Sequence, residues 1–178
     1  MQQPVKRIVI IGPESTGKST LTRQLATYYS TSYADEYARL YLESLGRPYN
    51  QHDLELMAGG QLELEDRALT EARGGLVFFD TDLYVIKVWS EDKYGTCAES
   101  ILRQIACRPY DLYLLADIDM PWEDDPLREH GMPEERRYFF NIYYDIVQQS
   151  GVAFTLVQGN EEERLRQAVA VVEALFRS

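Results

Sequence analysis

Four short runs, Val5–Ile11, Leu76–Asp80, Tyr110–Asp117 and Val152–Val157, are mostly apolar and draw on β-branched, aromatic and leucine side chains. Runs of this length and composition predict strands buried on both faces of a parallel sheet. A weaker run, Thr31–Ala34, predicts one more short strand. Between them apolar positions recur every three to four residues, the spacing of a helix with one buried stripe. Leu21, Leu25, Tyr28 and Tyr29 predict a helix from Lys18 to about Ser30; Tyr37, Leu40, Tyr41 and Leu45 predict another, stopped by Gly46-Arg47-Pro48. A longer pattern runs from Asp53 to about Arg73, weakened in its middle by Gly59-Gly60 and ended by Gly74-Gly75. Leu83 to about Lys93, Glu99–Ala106, Pro133–Gln149 and Glu161–Phe176 complete the set, while Ile118–Pro133 is polar, carries three prolines and is expected to be irregular. Strands alternating with helices predict an α/β fold, a single domain over residues 1–178 whose ligand lies at the carboxyl ends of the strands.

That rule collects Gly12–Ser19, Asp35-Glu36, Asp80-Thr81-Asp82, Asp117–Trp122 and Gln158-Gly159-Asn160 on one rim. The first cluster reads Gly12-Pro13-Glu14-Ser15-Thr16-Gly17-Lys18-Ser19, a complete G-x-x-x-x-G-K-S loop between a predicted strand and a predicted helix. Its glycines let backbone amides wrap phosphate at the positive end of the helix dipole, Lys18 reaches the β- and γ-phosphates, and the Ser19 hydroxyl can hold Mg²⁺. Nucleoside triphosphate binding follows.

Asp80 closes an apolar run, as an acid on Mg²⁺ should; Asp117 closes a comparable run, but the strand beside the phosphate-loop strand must supply this group. Asp82 and Glu36 are the two carboxylates able to take a proton from an acceptor hydroxyl, with Asp82 favoured, and capping of the adjacent helices is their structural alternative. Residues 124–137 resemble a lid in which Arg128, Arg136 and Arg137 could reach the triphosphate and exclude water. Trp122, among Asp117, Asp119, Glu123, Asp124 and Asp125, suits a flat cationic ring, with packing beneath the lid as the alternative.

Composition narrows the picture further. A net charge of −11 disfavours a nucleic-acid surface, and no apolar stretch suits a membrane span. Two cysteines and two histidines make neither a disulfide framework nor a zinc site, so Cys97 and Cys107 read as reduced thiols of a cytoplasmic protein. Met1–Pro4 runs straight into the first strand, with no signal peptide visible.

The stretches 12–21, Glu36-Tyr37-Ala38-Arg39, Phe79-Asp80-Thr81-Asp82 and Tyr110–Arg128, with the core Asp117-Ile118-Asp119-Met120-Pro121-Trp122, resemble the NadR-type ribosylnicotinamide kinase domain. Arg136-Arg137 and Val157-Gln158-Gly159 also fit, so the similarity runs from about residue 5 to residue 160. The resemblance implies a nucleotide-kinase sheet of order 2-3-1-4-5 with a lid near 122–137. It also implies transfer of the ATP γ-phosphate to the 5′-hydroxyl of nicotinamide riboside, giving nicotinamide mononucleotide. The site expected on these grounds places Gly12, Glu14, Ser15, Thr16, Gly17, Lys18, Ser19, Thr20, Arg136 and Gly159 on ATP, and Ser19 and Asp80 on Mg²⁺. Glu36, Arg39, Asp82, Asp119 and Trp122 take the riboside, and Lys18, Asp82, Glu36 and Arg128 perform the chemistry. Members of that family often carry an adenylyltransferase domain or a helix-turn-helix. Here the first strand begins near residue 5 and no His-x-Gly-His occurs, so the expected product is the mononucleotide and no operator is bound.

Two rival functions remain open on sequence: another small-molecule or nucleoside kinase, and a non-catalytic module that senses ATP. A GTPase is disfavoured because Asn-Lys-x-Asp is absent and Asp92-Lys93-Tyr94-Gly95 ends a helix. A homo-oligomer is compatible with the sequence.

Overall fold

The computed structural model of the chain describes residues 4–176, so the reading of Met1–Gln3 lies outside the described residues. Strands β1 (Lys6–Ile11), β2 (Tyr33–Ala34), β3 (Leu76–Asp80), β4 (Leu112–Ala116) and β5 (Phe154–Val157) form one parallel sheet in the order β2-β3-β1-β4-β5, as the resemblance implied. Helices α1 (Lys18–Tyr28), α2 (Tyr37–Leu45), α3 (Gln51–Thr70), α4 (Leu83–Tyr94), α5 (Glu99–Cys107), α6 (Pro133–Gln149) and α7 (Glu161–Leu175) cover its faces. Alternation along β1 explains the layering. Ile8 and Ile10 point to one face, where α1 and α7 supply Leu21, Leu25, Ala168 and Val172. Val9 and Ile11 point to the other, where Ala68, Val85, Phe139, Tyr143 and Val147 pack. A satellite core joins α2, α3, α4 and α5 through Ala38, Leu54, Met57, Leu83, Ile86 and Ile101.

Boundaries differ from the sequence expectation mainly at element ends. The second strand shrinks to two residues, and α1 stops at Tyr28, because Ser30 turns left-handed at φ 51°. α3 starts two residues earlier than its apolar pattern, since Asn50 caps it in a reciprocal capping box with Asp53. It also runs unbroken through Gly59-Gly60. Gly60 is there for space: a Cβ at that position would lie 2.1 Å from Cε1 of Tyr37, whose ring lies against the helix. Gly59 is exposed and faces open space.

The two adjacent glycines therefore have opposite expected effects. Gly59→Ala should stabilise the protein by about 0.5–1 kcal/mol through helix propensity. Gly60→Ala should destabilise it by about 1–3 kcal/mol through overpacking against Tyr37. Urea denaturation of both variants measures the pair; equal signs would contradict the packing.

Candidate active site

The turn after β1 is built from a few strained positions. Gly12 sits at φ 147°, and a Cβ there would lie 2.8 Å from the Ala116 carbonyl oxygen, so only glycine lets the loop pass β4. Gly17, left-handed at φ 75°, occupies the N-cap of α1 and offers no side chain between the helix amides and a ligand. Thr16 Oγ1 donates to the Pro13 carbonyl at 2.8 Å, and Lys18 Nζ donates to the same carbonyl at 2.6 Å.

A cavity of ≈ 190 Å³ opens over this loop. Gly12, Glu14, Ser15, Thr16, Gly17, Lys18, Ser19 and Thr20 line its floor, and Glu36, Arg39 and Arg128 stand around it, together with Val85, Trp89, Leu127 and Tyr143. One expected constellation is thus assembled in one place: the whole phosphate loop, one of the two carboxylates proposed as proton acceptor, and one lid arginine.

Asp80 lies just beneath. It follows Phe78 on the face covered by α1, which sets its carboxylate beside Ser19. The carboxylate is 1% exposed, burial pushes its pKa up while Lys18 and Ser19 pull it down, and Oδ1 has no hydrogen-bond partner. A buried, unpartnered carboxylate oxygen next to a hydroxyl suits Mg²⁺, which takes one or two protein oxygens and completes its shell with phosphate and water. Among the described residues no cluster of three or more His, Cys, Asp or Glu side chains offers a self-sufficient metal cage.

Glu36 and Asp82 separate here. Glu36, the residue before α2, faces the cavity; burial and the charge of Asp80 raise its pKa to about 7, with Glu14 adding to them and Lys18 and Arg39 opposing. Asp82 turns the other way. Thr81 adopts φ 68° at the end of β3, and the following carboxylate enters the opposite face of the sheet. There it accepts a hydrogen bond from Tyr113 Oη at 2.7 Å and from the Tyr84 amide at 2.9 Å as the N-cap of α4. It is 2% exposed and outside the cavity lining, and burial lifts its pKa to about 7. The preference for Asp82 over Glu36 is therefore corrected: the helix cap, weighed as the alternative, is what Asp82 does.

Three further expectations change for similar reasons. Trp122 does not line the cavity: its indole lies over the backbone of Gly131, its Nε1 donates to Asp124, and the guanidinium carbons of Arg128 and Arg136 each lie 5.9 Å from its ring. The chain's own cations already occupy its surroundings. Asp119 accepts from Arg164 and, at 2.6 Å, from the Gly159 amide, so neither Asp119 nor Gly159 presents these groups to the cavity. Asp117 keeps its carboxylate on the Ile118 amide and Gln158 rather than near Ser19.

Residues 118–132 lie folded over the phosphate loop. Glu14 Oε2 accepts from the amides of Glu129 and His130, and Ser15 Oγ accepts from the Glu123 amide at 2.9 Å. Arg39 pairs with Asp125 at 2.7 Å, and Arg128 donates to the Glu123 carbonyl at 2.6 Å. Arg136 is buried and donates to the carbonyls of Ser15 and Met120, both at 3.1 Å; burial lowers its pKa, and its Nε has no partner. Arg137 is exposed.

Sequence reading missed Trp89 and Tyr143 as cavity residues and Arg164 as a support. The two aromatics occupy ordinary apolar positions of α4 and α6, and only the sheet order brings those helices to the cavity. Arg164 is 1% exposed and donates to the carbonyls of Thr16 (2.8 Å), Gly159 (2.8 Å) and Asp117 (3.0 Å). Nothing in its polar surroundings, Glu161-Glu162-Glu163 and Arg166, signals burial.

A family model described as an AAA domain matches residues 7–164. The trifunctional NAD biosynthesis/regulator proteins NadR of Escherichia coli (strain K12) and Salmonella typhimurium are each 27% identical over 179 residues. The match covers 97% of this chain and 43% of theirs, so the chain spans less than half the length of these relatives. A solved NadR protein in complex with NR superposes with a TM-score of 0.77 at 25% identity, covering 96% of this chain and 51% of that one. The thymidylate kinase of Ehrlichia chaffeensis shares the fold, with a TM-score of 0.66 at 14% identity, covering 96% of this chain and all (100%) of its own. Among the described residues no helix is long and apolar enough to cross a membrane.

The placement of Asp82 has a measurable consequence. Its folded pKa near 7 exceeds the usual carboxylate value, so the folded state holds a proton that the unfolded chain has lost. Its contribution to stability is fully present below about pH 4 and falls as pH rises towards 7. Asp82→Asn should flatten that decline by on the order of a few kcal/mol. It should also keep kcat within a few-fold of wild type with any substrate. Denaturation at pH 5 and pH 8, beside an activity assay, checks both; a collapse of kcat in a folded variant would return Asp82 to the chemistry.

Proposed function

The chain belongs to this AAA domain family, and from that premise we propose that it is an ATP-dependent kinase acting on the 5′-hydroxyl of nicotinamide riboside. The single observation that carries the kinase reading is Glu36: a carboxylate on the wall of the cavity floored by a complete phosphate loop. A protein that only sensed ATP would need no proton acceptor there. The similarity to NadR proteins, one of them solved with NR, supports the riboside as acceptor.

In this reading the triphosphate lies along Gly12–Thr20, with loop amides and the α1 dipole around its β- and γ-phosphates. Lys18 meets the charge that builds between them. Ser19 and Asp80 would hold Mg²⁺, which would supply positive charge to the phosphates. Glu36 orients the acceptor hydroxyl and takes its proton as the new O–P bond forms and the bond from the γ-phosphorus to the β,γ-bridging oxygen breaks, releasing ADP. Arg128, on the cavity wall, supplies positive charge to the transferring group. Arg136, fastened to the Ser15 carbonyl, fixes the lid over the loop and keeps water out.

The acceptor's aromatic ring belongs at Trp89 rather than Trp122. Trp89 lines the cavity wall beyond Glu36 and stacks on Tyr49 with ring centroids 6.1 Å apart, an aromatic surface suited to a pyridinium. Arg39, which lines the cavity one turn into α2 and pairs with Asp125, is the residue we assign to the ribose hydroxyls.

The deciding assay incubates the purified protein with ATP, Mg²⁺ and a panel of ribosides and follows gain of one phosphate by mass. Nicotinamide riboside should turn over fastest; a faster purine or pyrimidine nucleoside would replace the acceptor, and no turnover with any would favour the sensor. Lys18→Ala should cost about 3–4 kcal/mol in kcat/KM with the fold intact.

The two tryptophans give a sharper contrast. Trp89→Ala should weaken riboside binding by about 1–2 kcal/mol with ATP affinity little changed. Trp122→Ala should disturb lid packing and affect both ligands alike. Calorimetric titration of each variant with each ligand separates the outcomes, and selective loss of riboside in Trp122→Ala would reverse the assignment.

A further inference from the structure

Two helices on the ligand rim begin at an acidic residue, and the two acids are used in opposite ways. Asp82 caps α4 with its own carboxylate, which consumes it. Glu36 stands at the same position before α2, in extended backbone at φ −69° and ψ 109°, yet makes no capping hydrogen bond. The first amide of α2 is satisfied from elsewhere: Tyr37 N–H donates to Gln61 Oε1 at 2.9 Å.

Gln61 reaches that amide from α3, where it is 3% exposed. Two features hold the arrangement. Gly60 leaves room for the Tyr37 ring against α3, which brings the start of α2 close to Gln61. One turn on, Glu65 lies near the Gln61 amide and is anchored by Arg108 Nε at 2.9 Å and Tyr110 Oη at 3.0 Å. Gln61 Nε2 is buried beside the Glu65 carboxylate, whose charge it helps to stabilise. With its Nε2 directed at Glu65, Gln61 presents its oxygen to the Tyr37 amide.

We infer that Gln61 is a positioning residue for Glu36: by accepting from the Tyr37 amide, it anchors the Glu36–Tyr37 peptide and so holds the Glu36 carboxylate turned to the cavity. This rests on the reading of Glu36 as proton acceptor. Without the Gln61 oxygen, the Glu36–Tyr37 peptide loses its anchor on α3, and the Glu36 carboxylate loses its fixed direction towards the acceptor hydroxyl. Its charged surroundings are otherwise unchanged, with Lys18 and Glu14 on the phosphate loop, Asp80 on β3, Arg39 on α2 and the Tyr143 hydroxyl on α6.

The test is a double-mutant cycle on kcat with the intact chain, ATP, Mg²⁺ and the best riboside of the panel. Gln61→Met should lower kcat about tenfold or more while KM for ATP stays within about twofold. Glu36→Gln should lower kcat at least as far. The double variant should be no slower than Glu36→Gln alone, because Gln61 acts only through Glu36. Losses that multiply, or an unchanged kcat in Gln61→Met, overturn the inference. Wild-type kcat in Glu36→Gln sinks the acceptor reading instead, a result visible in that variant alone. Should Gln61→Met fail to fold, Gln61→Asn, which withdraws the amide by one methylene, carries the same expectations.

Discussion

Two buried guanidiniums hold the phosphate loop in place: Arg136 donates to the Ser15 carbonyl, and the more deeply buried Arg164 clasps the loop from beneath. Arg164 projects from α7 into the space between three chain segments and donates to the carbonyls of Thr16, Asp117 and Gly159, with Asp119 as its counter-ion. Those carbonyls belong to the phosphate loop, the end of β4 and the end of β5, the three adjacent strand ends on that side of the sheet. A loop with left-handed turns at Ser15 and Gly17 stores conformational strain, and something outside it must determine its shape. Burying an arginine is costly unless every donor finds an acceptor, and here backbone carbonyls serve as acceptors. Because its partners are main-chain groups, the clasp fixes positions of the backbone, which is the part that must surround phosphate.

The carboxylates at the strand ends then divide by direction. Asp80 and Phe78 share one side of β3, so Asp80 falls beside α1 and Ser19. Thr81, in a left-handed conformation, reverses the chain and sends Asp82 to the other side, beneath Tyr113. Glu36 follows a strand of only two residues at the sheet edge, where the chain bends directly into α2 and the side chain stays at the cavity. Burial raises the pKa of all three acids, but the surrounding groups differ: a lysine and a hydroxyl for Asp80, a phenol and an amide for Asp82, a ring of opposed charges for Glu36. Similar pKa directions therefore accompany unlike roles, and geometry decides among them.

Much of this was legible in the sequence, and the exceptions share a cause. Apolar periodicity located every strand and helix, because sheet and helix burial impose periods of two and 3.6 on the chain itself. The loop motif was legible because its chemistry is mostly backbone and its glycines are required by close approach. The sheet-end rule correctly placed Asp82, Asp119 and Trp122 on the rim but could not say which way each side chain points. That depends on one dihedral at Thr81, on an arginine 45 residues beyond Asp119, and on a glycine at 131 that admits an indole. Trp89, Tyr143 and Gln61 were obscure for the converse reason. Each sits at a regular helical position, and its relation to the site exists only once α3, α4 and α6 are assembled.

The lid shows how these local solutions join. Its amides at Glu123, Glu129 and His130 are held by Ser15 and Glu14, side chains of the phosphate loop whose backbone is committed to the ligand. Its Asp125 is held by Arg39, one turn along the helix that Glu36 begins. Phosphate loop, lid and the helix that begins at Glu36 are thus connected by short polar contacts through three different segments. Each such contact is weak where it is exposed, with surface pairs contributing about 0–1 kcal/mol. The lid is joined to the loop by these polar contacts and by the buried Arg136, which bridges the carbonyls of Met120 and Ser15, while the loop beneath is also clasped by Arg164. The structure therefore concentrates its buried, backbone-directed contacts around the phosphate loop and its side-chain pairs in the segment folded over it.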